Sequence, residues 1–136
     1  MDQANLHSLA QKQSIFTLIK DLETKTGSQL AIVTVVSLNG QPITAYSLNL
    51  ANQLGLGRKK YKDGILILFS VKEGELRTEV GAGLDKIITN EFATIVNEGI
   101  IVPQFRAGNY ANGFYNSVKA IKERIEANRN LIGAQK

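Results

Sequence analysis

The chain has 136 residues, with 16 Lys and Arg against 12 Asp and Glu, a formal charge of +4. Four of those cations sit in Arg58-Lys59-Lys60-Tyr61-Lys62, and outside this pentapeptide the charges balance, which excludes the dispersed basic surface that tracks nucleic-acid phosphates. An apolar share of 43% can fill a core, the lack of Cys excludes disulfides and thiolate chemistry, and a single His7, read as a surface residue, excludes multi-His metal sites.

Ser8 followed by Gln11 is a capping-box pattern, and Ile15, Leu18, Ile19 and Leu22 then recur at helical spacing until Gly27. Leu30–Val36 is a β-branched run of the kind buried on both faces of a parallel sheet. Asn39-Gly40 turns the chain, and Pro42 opens a second helix with Ile43, Tyr46, Leu50 and Leu54 inward, ended by Gly55 and Gly57. The basic pentapeptide reads as a loop, and Asp63-Gly64 leads into a second buried strand, Ile65–Val71. A hairpin turn around Gly74 joins it to the alternating Leu76–Val80, an antiparallel partner. After Gly81-Ala82-Gly83, Thr89 or Asn90 caps a helix with Phe92, Ile95, Val96 and Ile100 inward, which Pro103 ends. Gly108-Asn109 opens a last helix with Tyr110, Phe114, Val118, Ile121 and Ile125 inward. From residue 127 the pattern fades into a frayed end or linker, so the chain divides into one domain, 1–130, and a tail, 131–136.

Helices separated by buried strands predict a three-layer α/β/α sandwich, Rossmann-like, with a mostly parallel sheet and one β-hairpin. No apolar run reaches the roughly 18 residues of a membrane span. Polar Asp2, Gln3 and Asn5 stand where a secretory leader has its basic start and apolar centre.

The candidate chemistry gathers after the hairpin. Gly81-x-Gly83 either offers backbone N–H groups to a phosphate or supplies positive φ to a turn. Asp85 follows a strand, at the end where open α/β sheets collect ligands, while Asp63 lies at the opposite end of its own strand. With Asn90, Glu91 and carbonyls of the glycine turn, Asp85 offers oxygens to a hard cation; the same acids also suit helix N-termini. Arg77, in a strand, and Arg106, near the last helix, are candidate anion binders or solvated cations. No general base stands near Ser8, Thr26 or Ser28 in sequence, so nucleophilic catalysis has no support.

Several strings together resemble the TPM domain family, which includes a thylakoid lumen protein, a photosystem repair protein and a nematode receptor modulator. They are Asp2-Gln-Ala4 with Ser8, Glu23–Gln29, Ala31–Val36, Leu54-Gly-Leu-Gly57, Asp63–Leu68, Arg77-Thr-Glu-Val-Gly-Ala-Gly-Leu84, Ile88-Thr-Asn90 and Val102–Tyr110. The resemblance implies the Rossmann-like sandwich and an exported protein, periplasmic or membrane-anchored, whose leader was removed just before Asp2. It implies a protein partner in the cell envelope, with the membrane near through flanking segments, and a role in assembling or maintaining an envelope complex. It also implies the alternative of a divalent-metal phosphatase, with Ca²⁺ or another divalent cation. There, Asp63 and Asp85 would be ligands or base, Arg77 or Arg106 would hold the phosphate, and Gly81, Gly83 and Asn109 would line the ligand site. Asp85 replaces the family's Glu, and Asn90 and Asn109 stand where its Asp would be. Two lost carboxylates weaken a hard-cation site and leave fewer groups for acid–base work, which favours the interaction role. The basic pentapeptide falls where the family varies, as a loop facing an acidic partner or lipid headgroups, and neutralising its four cations is expected to leave the fold intact.

Overall fold

The computed structural model describes residue 2 and residues 8–133; His7 and the Gln3-Ala4 part of the opening string lie outside the described residues. Helix α1 (Leu9–Thr26) starts on the capping box: the Gln11 amide donates to Ser8 Oγ at 3.1 Å and the Ser8 amide to Gln11 Oε1 at 2.7 Å. It ends at Gly27, whose φ of 82° places it in the left-handed region and whose amide donates to Glu23 O.

Strand β1 (Gln29–Val35) pairs in parallel with β2 (Gly64–Ser70), from Gln29 opposite Gly64 to Val35 opposite Ser70. Helix α2 (Ile43–Leu54) makes the crossover. Strand β3 (Glu75–Val80) turns back antiparallel beside β2, with Ile65 opposite Val80. The described sheet, in the order β1-β2-β3, is therefore mixed, with one parallel and one antiparallel pair. Every residue of the central β2 is buried, as its unbroken apolar run requires.

Two cores flank the sheet. On one face α2 places Ile43, Tyr46, Leu50 and Ala51 over Val33, Val35, Leu66 and Leu68. On the other, α1 and α5 (Tyr110–Ala127) bring Ile15, Leu22, Phe114, Val118, Ile121 and Ile125 onto Leu30, Ile32, Ile65 and Ile67. This is the expected three-layer sandwich. Each fully buried Leu or Ile contributes about 1.5–3 kcal/mol of transfer free energy.

The expected inward residues hold except at helix ends and re-phased turns. Leu54, at the last turn of α2, is exposed, and Leu56 beyond it packs on the core instead. Val36 and Val71 lie just past their strands and are exposed. Helix α3 (Asn90–Val96), capped by Thr89 Oγ1 accepting from the Phe92 amide, does not stop at Pro103. It runs into a π-helical turn (Asn97–Ile101) and then α4 (Val102–Arg106), with Pro103 in the first turn of α4, where a missing N–H costs nothing. The wider turn re-phases the helix, so Ile101 is the fully buried residue, not Ile100. Ile95, ahead of the turn, faces solvent beside the buried Val96. The described residues 128–133 also stay packed. A 3₁₀ turn (Arg129–Leu131) carries Leu131 and Ile132 onto the core, and the Gly133 amide donates to Gly83 O at 2.8 Å.

Candidate functional site

Asp63 is fully buried just before β2. Parallel register sets Ser28, just before β1, at its side, and Ser28 Oγ donates to Asp63 Oδ2 at 3.2 Å. Arg58 supplies the rest: its amide donates to Oδ1 at 2.8 Å, and Nε and Nη2 donate to Oδ2 at 2.9 and 2.6 Å. Nη2 also reaches Thr26 O at 3.1 Å, and the guanidinium stacks 3.9 Å from the Tyr61 ring centre. One arginine thus ties together the end of α1, the starts of β1 and β2, and its own loop. The pentapeptide is therefore not a uniform solvated patch. Lys59, Lys60 and Lys62 are exposed, but Arg58 is a structural residue. The sequence signal was available, because an Asp at the mouth of a fully buried strand needs a cation.

The glycine turn, a 3₁₀ turn over Ala82–Leu84, spends its amides internally. Gly81 N–H donates to Gly64 O at 2.8 Å, and Gly83 N–H donates to Lys62 O at 2.9 Å. Gly81 has an ordinary φ of −64°, and neither glycine has positive φ, so both expected reasons for them fail. The reason is close approach: a Cβ on Gly81 would strike Lys62 O, and one on Gly83 would strike Tyr61 O.

Because β3 runs antiparallel, Asp85 follows the carboxyl end of β3 yet lies beside the amino ends of β1 and β2, the same end as Asp63. The carboxyl ends of the parallel pair are closed by Glu73 from the hairpin. Glu73 accepts from Ser70 Oγ, from Ser37 Oγ at 3.2 Å and from the Leu38 amide at 3.1 Å. The Ser70 hydrogen bond, followed by the Leu38 amide, holds its carboxyl below the usual carboxylate range, against some desolvation.

Three expected residues meet in one place. Arg77, Asp85 and Asn90 line a groove of about 360 Å³ between β3 and α3, together with Glu79, Thr94 and Asn97. Glu79 accepts from Ser47 Oγ of α2 at 3.0 Å and lies 3.7 Å from Arg77 Nη2. Arg77 Nε and Asn97 Oδ1 are buried without hydrogen-bond partners. Glu91 is exposed in the first turn of α3 and does not line the groove. Arg106 and Asn109 are exposed at the α4–α5 corner, away from it, with the Asn109 amide donating to Gln104 O at 2.8 Å. A larger, mostly apolar groove of about 480 Å³ lies beside α1, lined by Ile15, Phe16, Ile19 and Ile32, with Asp2 at its edge.

Among the described residues no three His, Cys, Asp or Glu side chains gather to hold an ion. Of the three side chains expected to ligate a hard cation, Asp85 and Asn90 share the groove and Glu91 does not line it.

The TPM domain family model matches residues 1–124. The chain belongs to the TPM domain family. Similar solved structures include the N-terminal domain of a protein from P. gingivalis, 27% identical, with a TM-score of 0.86 over 95% of this chain and 82% of that one. The BA42 protein of the psychrophilic bacterium Bizionia argentinensis is 16% identical, with a TM-score of 0.76 over 87% of this chain and 80% of that one. The N-terminal domain of the cg2496 protein of Corynebacterium glutamicum is 12% identical, with a TM-score of 0.68 over 90% and 76%. No curated protein matches the chain.

Sequence reasoning missed Asn97 and Thr94 as groove residues. Their signal is the π-helical turn that starts at Asn97, since such turns concentrate at functional sites; nothing in residues 97–101 announces it by composition.

Proposed function

We propose that this TPM domain is a protein-interaction module that acts outside the cytoplasm, in the assembly or maintenance of an envelope complex. The observation that carries this reading is the division of the expected site. Asp63, the buried carboxylate, is enclosed by Arg58 and Ser28, while Arg77, Asp85 and Asn90 line a groove with two unpartnered buried polar atoms. Acid–base work needs a carboxylate within reach of substrate, and an enclosed one serves the fold. A groove lined by charged and amide side chains beside an open strand edge suits recognition. Immobilised full chain, offered a detergent extract of cell envelope, is expected to retain one reproducible partner. The double variant Arg77→Ala with Asn97→Ala retains much less of it. Recovery of no partner, or equal recovery by both proteins, counts against the reading.

A second reading, a divalent-metal phosphatase, is favoured by Arg77, Asp85 and Asn90 sharing that groove. An aryl phosphate assayed with Ca²⁺, Mg²⁺ or Mn²⁺ tests it beside Asp85→Ala. Turnover that depends on Asp85 supports hydrolysis; equal trace rates would sink it.

A further inference from the structure

Strand β3 ends the described sheet, and its outer edge lies along the groove. The Gly81 amide donating to Gly64 O fixes the phase of the ladder. Ile65 and Val80 then form a non-hydrogen-bonded pair, and the pairing alternates from there. The backbone groups of Arg77 and Glu79 point to β2, and those of Leu76, Thr78 and Val80 point away from it. Among the described residues no strand takes these outward groups.

Natural edges are blunted by short length, charged side chains (lysine above all), proline, bulges or a covering element, and β3 carries Glu75, Arg77 and Glu79. Strand β3 has no proline or lysine, and it pairs with β2 residue for residue from Glu75 to Val80. Its two central charges lie on the α2 side, where Glu79 is held by Ser47. The other side carries Leu76 and Val80, packed against the core. An added strand would meet apolar neighbours on one face and Arg77 and Glu79 on the other.

The outward backbone groups select among ligands. At Leu76, Thr78 and Val80 each N–H needs an acceptor and each C=O needs a donor. An ionised phosphate offers acceptors only, and a cation cannot serve the amides. A polypeptide backbone offers both groups in alternation, at the repeat of the β3 edge.

We propose that the β3 edge is a strand-addition site, taking an extended segment of a partner polypeptide in which apolar and polar side chains alternate. This rests on the interaction reading above and places it on one edge. The probe is a capped heptapeptide of alternating valine and threonine, titrated into the full chain with amide-resolved NMR and hydrogen exchange. Saturable binding is expected to slow exchange at Leu76, Thr78 and Val80 by roughly tenfold or more. N-methylating the alternate peptide amides that face β3 abolishes binding, whereas methylating the other set leaves it. Thr78→Pro removes an outward amide without touching the ladder to β2, and it is expected to lose the peptide while keeping its melting transition. The methylated peptides test the same point on the unaltered protein. No saturable binding, equal effects of the two methylated sets, or protection confined to another surface overturns the proposal. If the envelope partner is still retained by folded Thr78→Pro, the interaction reading stands and the strand-addition site falls.

Discussion

Arg58 holds Asp63, Thr26 and Tyr61 at once, so its removal leaves a buried carboxylate with only Ser28 Oγ and one backbone amide. Breaking a fully buried pair costs about 3–5 kcal/mol; Arg58 retains 37% side-chain exposure, which brings the expected loss for Arg58→Met to roughly 2–3 kcal/mol. Urea unfolding checks this, with the triple variant Lys59→Gln, Lys60→Gln and Lys62→Gln expected to keep the parent midpoint. A midpoint for Arg58→Met equal to the parent's would remove the staple from the account. Gly83 is the second critical position. Gly83→Ala drives a methyl into Tyr61 O, a backbone atom that cannot step aside, so a loss of about 3 kcal/mol is expected, read by the same titration. Asp63 at the mouth of a buried strand signalled a cation, but nothing in the sequence named Arg58 as that cation or Gly83 as a close approach. The partners of Arg58 are spread from 26 to 63, and they converge only when parallel register sets Ser28 against Asp63.

Asp21 of α1 bonds Lys122 of α5 at 2.8 Å and Lys25 at 3.0 Å. The Lys122 bond, then the Lys25 bond, holds the Asp21 carboxyl below its ordinary value; Lys122 is raised, first by Asp21 and then by Glu126. The depressed Asp21 contributes stability above the ordinary carboxylate pKa and loses it as pH falls through the depressed one. The raised Lys122 contributes below the ordinary lysine pKa and loses it as pH rises through the raised one. Lys122→Met is therefore expected to flatten the stability profile at both the acid and the alkaline limb, as read by urea midpoints across pH. A profile unchanged at both ends would mean that the α1–α5 pair is solvated away. Helices α1 and α5 and strands β1 and β2 were legible because their apolar spacing is long and regular. The α3–α4 segment was not, because a π-helical turn re-phases the helix within five residues and makes Pro103 a starting residue.

Two sheet faces are covered, by α2 and by the α1–α5 pair, and the β3 edge opens onto a polar groove. The sequence already held Arg77, Asp85 and Asn90 as candidates, and their meeting follows from the reversal at Gly74, which swings the chain after β3 to the amino ends of β1 and β2. Asp63, Arg106 and Asn109 do not join them, because loop closure and the α4–α5 corner carry them elsewhere. The outer side of α2 is the rival surface, since Leu48 and Leu54 are exposed there. A photoreactive side chain at Thr94, in the groove, or at Leu48, on α2, separates the two directly when the full chain is irradiated in envelope extract. The account predicts a discrete partner adduct from position 94 and none from position 48. An adduct from position 48 alone would contradict it.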